Sequence, residues 1–304
     1  MSDLKLIILG NGAAVPTSYQ NPTSQLLVYK GKQFMIDCGE GTQMQMIKFK
    51  IRHRKLNHIF ISHMHGDHYY GLIGLLSTFH LYGREEPLTI SAPAALEGII
   101  KLQLEAAKMT LKYKLIFQYL EEMGETPLCE DDSYTINAFT LKHSVPSWGF
   151  VFREKPRLRR IRKLFIEEKK LIPEQIINIK QGNDFVDSNG ISYLNSEITE
   201  SPRESSSYAY CSDTAYSESV IEHIRGVDLL YHESTFDNAM EKIAIEKKHS
   251  TAAHAAMIAE KSNAKKLLLG HFSARFSNLN ILLDEAKVIF PNTVLSKEGL
   301  TYII

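Results

Sequence analysis

Four side chains suited to metal binding fall within six positions: His63, His65, Asp67 and His68, in the stretch Phe60-Ile61-Ser62-His63-Met64-His65-Gly66-Asp67-His68. The stretch follows an apolar run. Alternate residues of a strand project to one face, so His63 and His65 share a face if the strand continues that far. Gly66 then lets the chain turn, and Asp67 and His68 swing back toward the same space. Imidazole and carboxylate together suit zinc or a similar divalent cation. The competing reading is a chance cluster of polar loop residues, which this spacing at a strand end makes remote.

Three further ligand types close apolar runs elsewhere: His143 after Thr140-Leu141-Lys142, Asp213 after Tyr210-Cys211-Ser212, and His271 after Leu267-Leu268-Leu269-Gly270. Singly, each is an ordinary turn former or solvated side chain. Loops at one edge of a rigid sheet, however, are where functional residues from separate strands converge. Together they bring the set to seven ligands, enough for two metals sharing one bridging carboxylate, an arrangement used for in-line displacement at phosphorus. His53, His58, His80, His223 and His254 lie in charged or helical stretches and read as surface or capping residues. Ser250 reads as a helix N-cap. That role holds the preceding His249 at the start of the helix, aimed outward, where a carboxylate such as Glu233 could orient it as a general acid.

The elements that must position these groups alternate along the chain. Strands are predicted over 4–10, 24–30, 33–38, 57–62, 87–92, 115–120, 134–142, 148–153, 208–212, 228–232 and 266–270. Helices are predicted over 42–50, 67–81, 94–108, 218–225, 251–261 and 280–290. A hairpin is expected from 293–296 and 300–303 around Lys297-Glu298-Gly299. Gly10-Asn11-Gly12 lacks the third glycine and following helix of a dinucleotide loop, and so reads as a turn bringing backbone close to the site. Early hairpins followed by strand–helix alternation indicate an α/β protein with two sheets rather than one doubly wound sheet.

Lys plus Arg equals Asp plus Glu at 35 each in 304 residues, so no global field draws in nucleic acid or membrane, and any basic surface is local. Leu4 to Leu9 is too short and too early for a signal peptide, and no stretch approaches a membrane span. Three cysteines in unrelated contexts give no disulfide framework, and a reducing cytoplasm is expected. One segment breaks the neutrality: Arg153 to Lys170 carries nine Lys or Arg against three Glu. A solvated loop is the plain reading of such a run; a phosphate backbone would reward it through counterion release.

These residues resemble the metallo-β-lactamase superfamily and, within it, the ribonuclease Z family of tRNA 3′-processing endonucleases. The resemblance runs from Asp37-x-Gly39-Glu40-Gly41-Thr42 to Gly270-His271-Phe272-Ser273-Ala274-Arg275-Phe276. His232-Glu233-Ser234-Thr235 followed by Lys248-His249-Ser250-Thr251 points to the narrower family. The resemblance implies a four-layer αβ/βα sandwich, a single domain over 1–304, with a flexible basic tRNA-binding arm inserted at 153–195. It implies two Zn2+ per chain, with Mn2+ or another divalent metal as a substitute. His63, His65 and His143 would hold one ion, Asp67, His68 and His271 the other, and Asp213 would bridge them.

In the family, water is the nucleophile, Asp67 also serves as the base, and His249, supported by Glu233, protonates the leaving 3′-oxygen. Arg275 would contact a phosphate, and Arg157, Arg159, Arg160, Arg162 and Lys163 would belong to the arm that clamps the RNA. A cytoplasmic homodimer acting on precursor tRNA is implied, leaving a 3′-hydroxyl on the tRNA and a 5′-phosphate on the trailer. Two departures stand out. The arm lacks its usual Gly-Pro stretch around Leu171-Ile172-Pro173-Glu174-Gln175, and Pro16-Thr17-Ser18-Tyr19-Gln20-Asn21 lacks the two basic residues of a bacterial loop that helps place the cut.

The alternative within the same fold is a small-molecule phosphodiesterase or other metallohydrolase, which has no use for a remote cationic arm. A non-catalytic RNA-binding relative would require missing ligands, and all seven are present. Deletion of residues 155–190 separates the first two. Cleavage of precursor tRNA is expected to collapse while hydrolysis of a small phosphodiester survives; undiminished tRNA cleavage would remove the arm from the argument.

Overall fold

The computed structural model describes residues 3–122, 124 and 126–304. Strand Lys32–Cys38 is apolar on both faces because both are covered. On one side Met35, with Leu26 and Ile59 of neighbouring strands, packs against Leu72, Leu75, Leu76 and Phe79 of helix Leu72–Leu81. On the other, Tyr29 and Phe60 meet Phe152 and Phe150 of a second sheet, with ring centroids 5.2 and 5.3 Å apart. Burial on both faces is what parallel strands require.

The first sheet has seven strands in the order Thr301–Ile303, Leu4–Gly10, Ser24–Tyr29, Lys32–Cys38, Leu56–Phe60, Leu88–Ala92, Leu115–Tyr119. The second also has seven, in the order Thr293–Leu295, Leu267–Gly270, Leu229–Glu233, Ser207–Cys211, Ser147–Glu154, Tyr134–Leu141, Cys129–Asp131. Its outer face carries helices Ala252–Lys261 and Asn280–Ile289, whose Ala255, Ala256, Ala259, Leu282 and Ala286 pack with Leu267, Leu269 and Ala209. Two sheets face to face with helices outside give four layers, as expected.

Three sequence expectations are corrected. Residues 293–303 form no hairpin: Thr293–Leu295 pairs with Leu267–Gly270 in the second sheet, and Thr301–Ile303 pairs with Leu4–Gly10 in the first. The segment between them crosses from sheet to sheet, and Glu298 within it accepts hydrogen bonds from the Asn21 backbone N–H, Asn21 Nδ2 and Gln45 Nε2 at 2.6, 2.8 and 2.7 Å. The helix expected over 67–81 is broken into Gly66–Tyr69 and Leu72–Leu81. At the break Gly71 donates its N–H to Cys38 O at 2.9 Å. His58 is not a surface residue; it is buried, stacks on Phe60 at 4.2 Å and bonds Ser91 Oγ through Nε2 at 2.7 Å.

By its contacts the chain divides into two units, the second comprising Asp131–Tyr134 and Arg153–Ser205. This second unit holds helices Lys163–Lys169 and Pro173–Lys180 and two short strand pairs, Arg160–Ile161 with Thr199–Glu200 and Phe185–Val186 with Ser192–Tyr193. It has a core of its own: Ile161, Leu171, Ile179, Phe185 and Ile198, with Phe165 and Tyr193 against it. Pro173 sits in the first turn of its helix, where the missing N–H costs nothing. Among the described residues, no helix is long and apolar enough to cross a membrane.

The close approach at Gly71 is testable. A Cβ there would lie 2.1 Å from the Gly39 carbonyl oxygen, so Gly71→Ala forces backbone apart. A loss of about 1–3 kcal/mol in denaturant unfolding is expected, the range for overpacking; an unchanged midpoint would mean that this contact is not rigid.

Candidate metal centre and active site

The ligand-type side chains meet where strands of both sheets end. Asp213 and His271 lie just past their strands, and Asp37 is the last residue but one of its own, with φ of 56°, 56° and 58°. This is the left-handed region, which non-glycine residues occupy at a cost and which concentrates at functional sites. His63, His65, His143 and Asp213 form one group, and Asp67, His68 and His271 a second; within each, one candidate ligand atom per residue lies within 4.8 Å of the others. All seven residues singled out by the sequence are thus brought together.

Four imidazoles are held in the same sense. Nδ1 of His68 bonds Asp37 Oδ2 at 2.7 Å, Nδ1 of His63 bonds Ser62 Oγ at 3.0 Å, Nδ1 of His143 donates to Lys248 O at 2.9 Å, and Nδ1 of His271 bonds Thr235 Oγ1 at 2.8 Å. With Nδ1 carrying the proton, each ring presents a bare Nε2 lone pair to the centre, the usual way outer partners orient metal-binding histidines. His65 meets His143 from the other side, its Nδ1 3.2 Å from His143 Nε2.

The two oxygens of Asp213 are divided between the groups. Oδ1 lies 3.1 Å from Nε2 of both His68 and His271; Oδ2 lies 3.6 Å from His63 Nε2 and 3.8 Å from His143 Nε2. Asp67 Oδ2 stands 3.5 and 3.6 Å from Nε2 of His68 and His271, and accepts the Ala14 N–H at 2.8 Å. Nε2 of His63, His68 and His271 are buried and have no hydrogen-bond partner. Orphaned buried polar atoms are costly, and three of them converging with carboxylates fit divalent cations between them. Burial and the neighbouring His68 hold the His63 pKa well below the ordinary histidine range, which favours the neutral ligand form. At His68 burial also opposes charge, but Asp213, Asp37 and Asp67 outweigh it and push the pKa well up. A cation at this point would replace that proton.

Beside the cluster, His249 Nδ1 lies 2.9 Å from Glu233 Oε1, and the Glu233 carboxylate also accepts the Thr214 N–H at 2.6 Å and the Thr235 hydroxyl at 2.6 Å. Thr235 therefore links Glu233 to His271. Burial disfavours charge on His249, yet the Glu233 carboxylate overrides it and pushes its pKa up to about 9. Ser250 is not the helix cap: its hydroxyl donates to Thr214 O at 2.7 Å, and Thr251 Oγ1 accepts the His254 N–H at 3.2 Å as the cap instead. His249 nonetheless sits just before the helix, 4.9 Å ring to ring from His143. Arg275 lies over the Phe236 ring at 5.0 Å, and its Nη1 faces Met240 Sδ at 3.3 Å. A cleft of about 450 Å3 joins Asp67, Asp213, His249, His271 and Arg275.

The arm residues lie in the second unit. Arg157 pairs with buried Glu154, and Arg159 Nε donates to Thr199 Oγ1 at 2.7 Å, while Arg160, Arg162 and Lys163 are exposed. Reading the sequence assigned no role to Asp37, Ser62, Tyr210, Thr235 or Ala14. Asp37 takes the Tyr210 hydroxyl at 2.6 Å, and the Ser62 N–H and hydroxyl at 2.7 and 2.9 Å. Its position in Asp-x-Gly-Glu-Gly-Thr, at the end of a buried strand, is the one signal that marks it.

Two seven-stranded sheets with this cluster at their edge define a metallo-β-lactamase fold. The metallo-β-lactamase fold protein YhfI from Bacillus subtilis superposes with a TM-score of 0.68 at 20% identity, over 98% of each chain. Human tRNase Z, short form, superposes with a TM-score of 0.69 at 24% identity, over 99% of each. The family model for anti-Pycsar protein Apyc1 matches residues 4–158, a span that stops short of Asp213, Glu233, His249 and His271. Ribonuclease Z of Bacteroides fragilis is 43% identical over 300 residues, covering 99% of each chain, and that of Bacteroides thetaiotaomicron is 42% identical over 304 residues, covering 100% of this chain and 96% of the relative. The chain belongs to the ribonuclease Z family.

Metal occupancy is checked by stability and stoichiometry. Restoring Zn2+ to chelator-stripped protein at a hundredfold excess over Kd is expected to raise Tm by roughly 5–10 °C. Asp213→Ala, which removes the carboxylate facing both groups, is expected to abolish most of that gain and lower bound zinc; an unchanged gain would refute the shared-ligand reading.

Proposed function

We propose that this chain is a metal-dependent endoribonuclease that removes the 3′ trailer from precursor tRNA, with two Zn2+ per chain. The observation that carries it is the division of the Asp213 oxygens between two histidine groups, beside a His249–Glu233 pair, in a chain related to ribonuclease Z over its full length. His63, His65 and His143 would hold one ion, Asp67, His68 and His271 the other, and Asp213 both. Bound there, the ions supply Lewis-acid charge that lowers the pKa of water and stabilises negative charge on the phosphate.

The chain's own groups do the rest. Asp67, its carboxylate steadied by the Ala14 N–H, takes the proton from the attacking water. Oxygen adds to phosphorus as the bond to the 3′-oxygen breaks. His249 donates its Nε2 proton to that oxygen, because Nδ1 is engaged by Glu233. A buried carboxylate that keeps the imidazole protonated suits an acid. Arg275, its planar guanidinium over the Phe236 ring, presents its remaining N–H groups to a phosphate in the cleft. The products are a 3′-hydroxyl on the tRNA and a 5′-phosphate on the trailer.

We further assign residues 153–195 to binding the tRNA body, supported by the exposed Arg160, Arg162 and Lys163, and expect a cytoplasmic homodimer. A small-molecule phosphodiesterase is less favoured, because the relatives that match the full length are named ribonuclease Z.

Two substitutions test the roles. Asp67→Ala is expected to remove nearly all turnover on precursor tRNA, since a ligand and the base go together. His249→Ala is expected to lower kcat by about 10²–10⁴ with zinc content and tRNA affinity unchanged. Loss of zinc from the His249 variant would make it a ligand, and efficient cleavage by it would remove the acid.

A further inference from the structure

A run of unpaired charge in the first unit lies outside the lining of the cleft. Residues 48–55 read Lys-Phe-Lys-Ile-Arg-His-Arg-Lys, five cations with no acidic residue between them in a chain of zero net charge. Lys48, Lys50, Arg52, Arg54 and Lys55 are all exposed. Among the described residues, none of the five forms an ion pair. The Glu86 carboxylate is held below its usual range chiefly by backbone hydrogen bonds, and Arg54 adds only a minor attraction to it without pairing. The contrast with the inserted segment is direct, since Arg157, Lys163 and Lys169 are paired there with Glu154, Glu167 and Asp187.

Helix-end electrostatics account for one of these charges. Lys48 closes helix Thr42–Lys48 and suits its negative C-terminal end. The four that follow lie beyond the helix, on a left-handed turn at Lys50 (φ 54°) and a single 3-10 turn, His53–Lys55, where no dipole calls for them. They surround an open hollow of about 530 Å3 floored by Met46, Ile47 and Ile51. At its side the His53 ring lies 5.1 Å from Tyr82, which is 56% exposed. Cations interleaved with apolar and aromatic surface are the footprint of a nucleic-acid backbone rather than of a small anion.

The position sets what such a surface can reach. The segment enters strand Leu56–Phe60 at one end, and the metal-ligand stretch beginning at His63 leaves it at the other. A strand of this length separates the two by about 17 Å. We propose that residues 48–55, with Tyr82 beside them, form a second RNA-backbone contact that grips the body of the same RNA whose end lies in the cleft. This rests on the ribonuclease reading above.

The test is the variant Lys50→Gln/Arg52→Gln/Arg54→Gln/Lys55→Gln, all at exposed positions, in the full chain loaded with zinc. Binding to precursor tRNA is measured by fluorescence anisotropy across a salt series, cleavage by gel, and oligomeric state by sedimentation. Expected are at least a tenfold rise in Kd and KM near 100 mM salt, a salt slope smaller by about 3, an unchanged kcat, and unchanged hydrolysis of bis(p-nitrophenyl) phosphate. Wild-type affinity and slope would overturn the proposal. So would a change in oligomeric state accompanying the loss, which would make this face a contact between copies of the chain. Because binding is read separately from cleavage, a wild type that binds but does not cut defeats the processing role and leaves the patch to be judged on its salt slope.

Discussion

The structure depends on one electrostatic demand: three buried Nε2 atoms without hydrogen-bond partners point at the same space as the oxygens of Asp213 and Asp67. Lone pairs and carboxylates crowded together in a low dielectric repel one another, and only protons or cations between them relieve it. The surroundings orient the rings for a cation. Asp37, Ser62, Thr235 and the Lys248 carbonyl each occupy the Nδ1 side of a ring, so neutral imidazole already turns its bare nitrogen inward. Asp37 is itself tied across the sandwich by the Tyr210 hydroxyl, which makes the packing of the two sheets part of what fixes the orientation of His68.

That demand accounts for five of the ten non-glycine residues with positive φ among the described residues; the other five, Lys30, Lys50, Lys108, Lys170 and Asn263, lie in turns elsewhere. Ala14, Asp37, Asp213, Lys248 and His271 all have φ between 54° and 65°, and all five either offer a ligand or hold one. Each left-handed residue costs on the order of 1–2 kcal/mol. The benefit is a sharp local reversal that turns a side chain or a backbone group toward the ligands. It comes just past a strand for Asp213 and His271, in the irregularity between Ile36 and Cys38 for Asp37, and at the end of helix Glu241–Lys247 for Lys248. The Ala14 N–H on Asp67 and the Lys248 carbonyl on His143 are the backbone examples.

Much of this could be read from residues alone. Singly, a histidine or aspartate at the end of an apolar run is ordinary; the signal was the spacing of His63, His65, Asp67 and His68 within six positions and the recurrence of ligand types at His143, Asp213 and His271. The close backbone approach at Gly10 was legible, although it comes not from a turn but where strand Leu4–Gly10 passes into Gly12–Ala13, and two sheets followed from mixed hairpins and alternation. Partners that act through side-chain contact across the sandwich were not legible. Tyr210 and Asp37 are 173 residues apart, and Thr235 and His271 are 36 apart, and no local pattern ties them. The missed crossover at 296–300 has the same origin: two short strands flanking a Gly look like a hairpin, and only tertiary pairing reveals that they join different sheets. His58 escaped because its partner Ser91 sits on the neighbouring strand.

The crossover has a consequence for the order in which the molecule becomes competent. Asn11 Nδ2 reaches Ser296, 285 residues away, and Asn21 is held by Glu298 across 277 residues. The loop between them carries the amide that steadies Asp67. A ribosome that has delivered the strands from Leu4–Gly10 to Leu115–Tyr119, with His63, His65, Asp67 and His68 among them, has therefore not delivered the clasp that shapes the ground beneath them, nor the sheet's edge strand Thr301–Ile303. Contacts of such span form late, after loop closure has been overcome. His271 is also made late, so the full ligand set and the contacts that shape its surroundings exist together only once nearly all of the sequence has left the exit tunnel.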